Sequence, residues 1–119
     1  MALSFILYFL KWHLRIACWR SPEFAKRLKE KNLVAQFKIA DDSDGRYFEF
    51  ENGKITSKSG LHPEPDVSVI FKNQRIAKDL LIPPIDYQKQ IDAIKNFNLM
   101  MIGPDEQSNW LTEIILEAG

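Results

Sequence analysis

Acidic side chains concentrate at one turn of the sequence, DDSDG, which is the first place to look for metal chemistry. Asp42, Asp44, Gly45 and Glu51 stand at the third, fifth, sixth and twelfth positions of a calcium-binding loop. The first position is Ala40, however, and the flanking segments have the period of strands rather than helices. The pattern therefore favours a solvated hairpin turn over a calcium site.

Other residue types that perform chemistry are scattered. His13 and His62 have no Cys or His at metal-ligand spacing, and Cys18 lies in an apolar segment without an adjacent base. Asp86 is the one acid worth examining as a buried base, although its place before Tyr87 is more typical of a helix N-cap. No P-loop, nucleophile-elbow or dinucleotide glycine pattern occurs. We expect a protein that is not an enzyme and has no metal or cofactor; a small isomerase or hydratase with Asp86 as base is an alternative.

The opening segment, MALSFILYFLKWHLRIACWR, is unusually apolar. Its uninterrupted apolar run ends at Lys11, well short of the ~20 residues that a membrane-spanning helix needs. No basic region precedes it and no small-residue cleavage site follows, so it does not read as a signal peptide. Aromatic and basic residues together suit a helix lying at a lipid headgroup region. The predicted membrane-docking residues are Phe5, Phe9, Lys11, Trp12, Arg15, Trp19 and Arg20. Packing on its own domain or on a partner subunit is the alternative.

Charge is unevenly distributed along a chain whose formal net charge is zero. Residues 1–31 hold seven Lys and Arg against two Glu, a balance of +5, and the remainder has nine against fourteen acids, a balance of −5. This asymmetry indicates that the two parts meet different partners. Nucleic acid is disfavoured because the basic residues lie in an apolar segment. A single cysteine gives no support for an oxidising compartment, so we expect the cytoplasm, with peripheral membrane association.

Periodicity and turn residues outline the first half of the body. Ser21-Pro22-Glu23 is a helix start, and the helix is predicted to reach Lys31. The period then changes from helical to two. The predicted strands are 36–40, 46–51, 54–59 and 66–71. The second and third are joined by Asn52-Gly53, the strongest hairpin signal in the sequence.

Helical spacing returns in the second half. One helix, carrying Ile76, Leu80 and Leu81, is predicted to stop at the Pro83-Pro84 pair. A short helix follows, then a strand over 97–102 and a closing helix that opens at Pro104. We therefore predict an α+β fold, a five-stranded mainly antiparallel sheet with helices packed on one face, plus an N-terminal amphipathic helix. We divide the chain into a helical leader, 1–31, and a body, 32–119.

The body resembles the sterol carrier protein type-2 domain family. The matching pieces are Asn52-Gly53, Gly60, Asp66-Val67, Ile91 to Asn96 and Leu99 to Gly103, in an order of elements that covers roughly residues 33–118. The leader makes the chain look more like the small bacterial members that assist isoprenoid-quinone biosynthesis. The resemblance implies non-catalytic binding of a hydrophobic lipid or isoprenoid-type molecule, presented at a membrane or to partner enzymes.

The resemblance also implies a lipid cleft between the sheet and the helices that follow it. Soft methionine side chains and aromatic rings with one polar handle suit such a site. The predicted lipid-binding residues are Phe71, Ile76, Leu80, Leu81, Tyr87, Ile91, Ile94, Leu99, Met101, Trp110 and Ile114. The alternative is a structural subunit that forms homo-oligomers through the N-terminal helix and holds no lipid. We expect an acyl or prenyl compound, a membrane surface and an enzyme complex as partners.

Overall fold

The computed structural model describes residues 3–81 and 86–118, except for the side chains of Ser4, Glu117 and Ala118. The predicted helix stop at Pro83-Pro84 lies outside the described residues. The described elements, in chain order, are α1 (Leu3–Arg20), α2 (Pro22–Leu28), β1 (Leu33–Ile39), β2 (Gly45–Glu51), β3 (Lys54–Ser59), β4 (Val67–Phe71), α3 (Gln74–Leu81), α4 (Tyr87–Lys95), β5 (Leu99–Ile102) and α5 (Asp105–Ala118). The predicted α+β class and order of elements are confirmed.

Local chemistry explains where the first two helices separate. Ser21 has extended backbone angles, and its Oγ accepts a hydrogen bond from the Phe24 N–H at 3.3 Å. Pro22 occupies the first helical turn, where a missing N–H costs nothing. α2 ends at Leu28, three residues before the predicted end, because the backbone passes into turns at 29–30.

The sheet has the strand order β3-β2-β1-β4-β5. Its neighbouring strands are antiparallel except for β1 and β4, which run parallel with Phe37 opposite Val69. Asn52 and Gly53 make the β2–β3 turn with φ angles of 52° and 81°. Both angles lie in the left-handed region that a two-residue hairpin turn requires, so the hairpin prediction is confirmed.

Two strands start more than one residue away from the position that the periodicity indicates, whereas β2 and β4 each differ by one residue. β1 begins at Leu33 rather than Gln36, since Leu33 and Ala35 continue the inward alternation and are buried. β5 begins at Leu99 rather than Phe97. Phe97 instead adopts a φ of 59° in the turn after α4, and its side chain is 86% exposed.

One hydrophobic core fills the space between the inner face of the sheet and the helices. The aromatic residues of that face, all of them buried, are Phe37, Phe48, Phe50 and Phe71. α1 contributes its own buried face to this core through Leu3, Ile6, Leu7, Leu10 and Leu14. The leader and the body thus share a core. That residues 1–31 and 32–119 meet different partners remains a prediction.

Candidate functional site: a cavity beneath α3, α4 and α5

A small cavity lies between the inner face of the sheet and the three helices α3, α4 and α5. Its volume is about 30 Å³. The described residues that line it are Phe37, Val69, Phe71, Leu80, Leu81, Gln90, Leu99, Met101, Leu111, Thr112 and Ile115. The lining is apolar except for an amide on α4 and a hydroxyl on α5. The family resemblance implies a lipid cleft at this position.

Five of the predicted lipid-binding residues line this cavity: Phe71, Leu80, Leu81, Leu99 and Met101. They come from β4, α3 and β5, so the tertiary structure brings together segments that are up to 30 residues apart in sequence. Leu99 and Met101 are two residues apart on β5, so they share its inner face, and Phe71, Leu80 and Leu81 are buried.

The other six predicted residues lie elsewhere. Trp110 and Ile114 of α5 are buried in the hydrophobic core. The centroids of the Trp110 and Phe50 rings lie 5.4 Å apart in an edge-to-face arrangement. Ile76 lines a neighbouring groove between α3 and α4. The remaining three belong to α4, and they are Tyr87, Ile91 and Ile94; the first and last are exposed and Ile91 is half-buried. That these six residues contact a ligand remains a prediction.

Six lining residues were not among the predicted set: Phe37, Val69, Gln90, Leu111, Thr112 and Ile115. The inward phase of β1 and β4 is a signal for the first two, and the i, i+4 spacing on α5 is a signal for Leu111 and Ile115. No local signal marks Gln90 or Thr112, because a polar residue at the border of a helix face reads as solvent-facing.

The cavity is too small for a lipid in this conformation. Its volume is about that of one water molecule, and small-molecule pockets are roughly tenfold larger or more. Among the described residues of α4, Ala93 is the buried one, whereas α3 buries Ala77, Leu80 and Leu81. Of the three helices around the cavity, α4 therefore contributes the fewest described buried side chains to the packing.

A groove of 220 Å³ adjoins this cavity on the outer side of Leu80. It lies between α3 and α4 and is lined by Ile76, Asp79, Leu80, Lys89, Asp92, Ala93, Asn96 and Asn98. Leu80 belongs to both linings and is buried, so the cavity and the groove share this side chain.

The outer face of α1 is a second unusual surface. Its buried leucines point into the core, and its opposite side exposes an apolar stripe of Phe5, Phe9, Trp12, Ile16 and Trp19. Trp19 is the most exposed of them, at 87%. We refer to these five residues as the aromatic stripe. They recur every three or four residues, which aligns them along one side of the helix.

Basic side chains border the aromatic stripe. The Lys11 ammonium lies 4.7 Å from the Tyr8 ring centre and 5.0 Å from that of Trp12. Arg15 stacks over Trp12 at 5.3 Å and also donates from Nη2 to the Ile55 carbonyl oxygen at 2.8 Å. Of the predicted docking residues, Arg15 therefore ties α1 to the edge strand β3. Arg20 lines an open groove of 710 Å³ at the α1–α2 junction.

The residues considered for catalysis are placed in structural roles. Asp86 is exposed and caps α4, with its Oδ1 accepting from the Gln88 N–H at 2.8 Å. It is therefore not the buried carboxylate that the isomerase alternative requires. Hydrogen bonds from Ser43 lower the pKa of Asp41, as expected for a solvated turn, and burial raises the pKa of the Cys18 thiol.

The described helices include none with the length and hydropathy needed to cross a bilayer. The described residues also contain no group of three His, Cys, Asp or Glu side chains arranged to hold a metal ion.

Comparison with solved structures identifies the fold as that of sterol carrier protein 2 (SCP2) domains. A UbiJ-SCP2 ubiquinone synthesis protein superimposes with a TM-score of 0.67 and 18% identity, over 98% of this chain and 95% of that one. Palmitated SCP2L2 from Aedes aegypti gives 0.67 and 18%, over 97% and 95%. No protein-family profile matches the chain, and no curated protein matches it by sequence.

The same fold occurs inside a larger enzyme. The inverting sec-alkylsulfatase Pisa1 from Pseudomonas sp. matches with a TM-score of 0.54 and 17% identity over 76% of this chain. The chain spans only 13% of that enzyme. At these identities the likeness establishes a shared fold alone, so a function has to be argued from the residues of the site.

Proposed function

We propose that this protein is a non-catalytic carrier that binds a hydrophobic lipid or isoprenoid-type molecule and presents it at a membrane or to partner enzymes. The observation that carries the proposal is the apolar cavity beneath α3, α4 and α5, in a fold shared with SCP2 domains. The solved relatives support it, since one is a ubiquinone synthesis protein and another is palmitated. We infer that this chain takes an acyl or prenyl compound.

The energetics of a widened cavity favour a long apolar ligand. Burying ten methylenes contributes about 8 kcal/mol at ~0.8 kcal/mol per methylene, before the entropy of association is subtracted. The cost of opening is the packing that α4 loses, which is small because Ala93 is its buried residue. A ligand that fills the space replaces the lost contacts, so the ligand-bound protein keeps a packed interior.

Enlarging the cavity by one substitution tests the proposal. Leu111 lines the cavity and is fully buried, and Leu111→Ala should cost about 2–5 kcal/mol of stability while adding volume to the site. We expect mass spectrometry of an organic extract of the purified protein to detect a bound acyl or prenyl compound. Its occupancy should rise severalfold in Leu111→Ala.

Leu14→Ala is the matched control. Leu14 is also fully buried, but it lies on α1 and not on the cavity lining, so the substitution should destabilise comparably without raising occupancy. Extracts without such a compound from both wild type and Leu111→Ala would contradict the carrier function. An equal rise in Leu14→Ala would show that general loosening, rather than the cavity, controls uptake.

We propose further that the aromatic stripe of α1 docks on a membrane, where a carrier meets water-insoluble molecules. Aromatic side chains partition into the headgroup boundary, and each basic residue near an anionic surface contributes about 1 kcal/mol. Lys11 and Arg20 lie on the same helix as the stripe, with Lys11 stacked against its Trp12.

Vesicle binding tests this docking surface. The double variant Phe9→Ser/Trp19→Ser removes two exposed rings, and we expect at least a tenfold weaker partition onto anionic vesicles because each ring contributes about 1.5–3 kcal/mol when buried. Deleting α1 would be uninformative, since its other face belongs to the core. Higher salt should weaken wild-type binding.

The control variant Phe97→Ser/Ile102→Ser removes two exposed apolar side chains outside α1. An equal loss of vesicle binding in this variant would refute docking through α1. The aromatic stripe also favours the alternative of a structural subunit that self-associates. If sedimentation shows an oligomer that Phe9→Ser/Trp19→Ser dissociates, while vesicles bind neither form, the structural subunit is the better account.

A further inference from the structure

The two edges of the sheet differ in how they are protected against pairing with another chain. At the β3 edge, Lys54 and Lys58 are exposed, and lysines on an edge strand oppose the approach of a further strand. At the other edge, β5 consists of Leu99–Ile102 and has no charged residue. Met100 and Ile102 are half-exposed there. The β5 edge is therefore the one that can accept another strand.

The backbone of β5 has open hydrogen-bonding groups at this edge. The Lys72 N–H of the β4 side donates to the Asn98 carbonyl oxygen at 2.9 Å, and Met100 has the same phase in the antiparallel register. Backbone groups alternate in direction along such a strand, so those of Leu99 and Met101 face away from β4. Among the described residues, no backbone hydrogen bond outside the sheet occupies them. Two N–H and two C=O groups are thus open to a partner strand.

Charges at the two ends of β5 favour an antiparallel copy of the same strand. Lys72 and Lys95 lie at its N-terminal end, because Lys72 bonds to the residue before the strand and Lys95 is the last residue of α4. Asp66 and Asp105 lie at its C-terminal end, one beside Gly103 and the other at the start of α5. All four charged residues are exposed. An antiparallel copy brings the basic end of each strand to the acidic end of the other, whereas a parallel copy brings like charges together.

We propose that two copies of this chain pair antiparallel along β5, which joins their two five-stranded sheets into one continuous sheet. A two-fold axis at Met100 places Leu99 opposite Met101 of the second copy, so the open groups of both strands are satisfied. The two Met100 residues then form a non-hydrogen-bonded pair, with Cα atoms about 4.5 Å apart. A strand of four residues buries less surface than a permanent dimer needs, so the association is weak and depends on concentration. It uses neither a bound ligand nor the aromatic stripe.

Cysteine substitutions test this register in a Cys18→Ala background, which removes the native thiol. Met100→Cys places two thiols across the two-fold axis, at a Cα separation of about 4.5 Å that suits a disulfide. Ile102→Cys is the matched control: it is also half-exposed on β5, but its two copies would lie roughly 14 Å apart. We expect oxidation with diamide to give about fivefold more covalent dimer from Met100→Cys than from Ile102→Cys. Equal yields from the two variants would overturn the proposal.

Sedimentation velocity tests the association without a crosslink. Over a roughly hundredfold range of protein concentration, the average mass of wild type should rise from that of one chain toward that of two. Met100→Lys gives β5 the protection that β3 has and should weaken the association about tenfold or more. Phe9→Ser/Trp19→Ser should leave it unchanged. A mass of one chain at every concentration, or an association that the second of these variants abolishes and Met100→Lys does not, would overturn pairing through β5.

Discussion

At the scale of single residues, glycine at position 103 shows how closely the edge of the sheet is packed. Gly103 follows β5 and has a φ of 147°, in the region that favours glycine. A Cβ at this position would lie 2.6 Å from the Asp66 carbonyl oxygen and 3.2 Å from the Val67 Cα. These are backbone atoms at the start of β4, so they cannot move aside as a flexible side chain would. The close approach aligns β5 with β4.

A pair of alanine substitutions separates this contact from the backbone strain. Gly60 also has a positive φ, 97°, but a Cβ there would meet nothing within 4 Å. Gly60→Ala should therefore cost about 1 kcal/mol of strain, and Gly103→Ala should cost a further 1–3 kcal/mol for the clash. Urea unfolding of both variants measures the difference. Equal losses would show that β5 shifts away from β4 at no cost.

At the scale of elements, α1 has two different faces that its composition alone does not distinguish. One face contributes five buried residues to the core, and the other carries the aromatic stripe. Its attachment is also polar. The Leu3 N–H donates to Gln74 Oε1 at 2.7 Å, and Gln74 Nε2 donates to Asp44 Oδ2 at 2.9 Å. These bonds hold the N-terminal end of α1 to α3 and to the β1–β2 turn.

Arg15 attaches the C-terminal half of α1, so it should differ from Arg20 in its effect on stability. Arg15→Gln removes the charged hydrogen bond to the Ile55 carbonyl and should lower the free energy of unfolding by about 1 kcal/mol. This is less than a buried charged donor contributes, because solvent partly screens the contact. Arg20→Gln removes the same charge at an exposed position and should cost less than 0.5 kcal/mol.

Vesicle binding distinguishes attachment from membrane contact at the same two positions. If charge alone matters at the membrane, both variants should weaken partitioning onto anionic vesicles by a similar factor of about five. A loss confined to Arg20→Gln would assign headgroup contact to Arg20 and a purely internal role to Arg15. Equal thermal stability of the two variants would contradict the attachment of α1 through Arg15.

At the scale of the whole molecule, the basic leader and the acidic body are joined by ion pairs. Arg27 of α2 donates to Glu113 of α5 at 2.7 Å, and Lys31 contacts Glu106 of α5 at 2.6 Å. Part of the positive charge of residues 1–31 is therefore compensated within the molecule. These two ion pairs involve Arg27 and Lys31, which lie outside α1, whereas Lys11 and Arg15 lie on α1 beside the aromatic stripe.

The Lys31–Glu106 pair makes stability depend on pH. The hydrogen bond and charge of Lys31 lower the pKa of Glu106. A carboxyl with a lowered pKa stabilises the fold above its unfolded-state pKa, and the contribution is lost as the pH falls through the folded-state value. Lys31→Met should therefore be slightly less stable than wild type at pH 7, and the difference should shrink in acid. Urea unfolding at pH 7 and pH 3 measures this difference in stability. Lys26→Met also removes one lysine charge but leaves the Lys31–Glu106 pair in place, so it is the control.

A difference between wild type and Lys31→Met that is the same at both pH values would show that the pair contributes nothing. Because Glu106 is fully exposed, the expected effect is small and should be screened by salt.

Local patterns were sufficient for the type and order of the described elements, but not for all of their boundaries. The helix start at Ser21-Pro22, the hairpin at Asn52-Gly53 and the strand alternation in 54–59 depend on neighbours within four residues, so they can be read directly. The order of these elements also resembles that of the sterol carrier protein type-2 domain family, and solved SCP2 structures share the fold of this chain. The fold class thus followed from the sequence, and a small apolar cavity lies where the resemblance implies a lipid cleft.

Only the tertiary structure determined the size of the cavity, the presence of Thr112 on its wall and the attachment of Arg15 to β3. It also determined which apolar side of α1 joins the core and which stays exposed. The physical reason is that these features depend on distances between helices and strands far apart in sequence, which the packing of the whole core sets. A periodic pattern records that a side chain is apolar, but not which distant segment it meets.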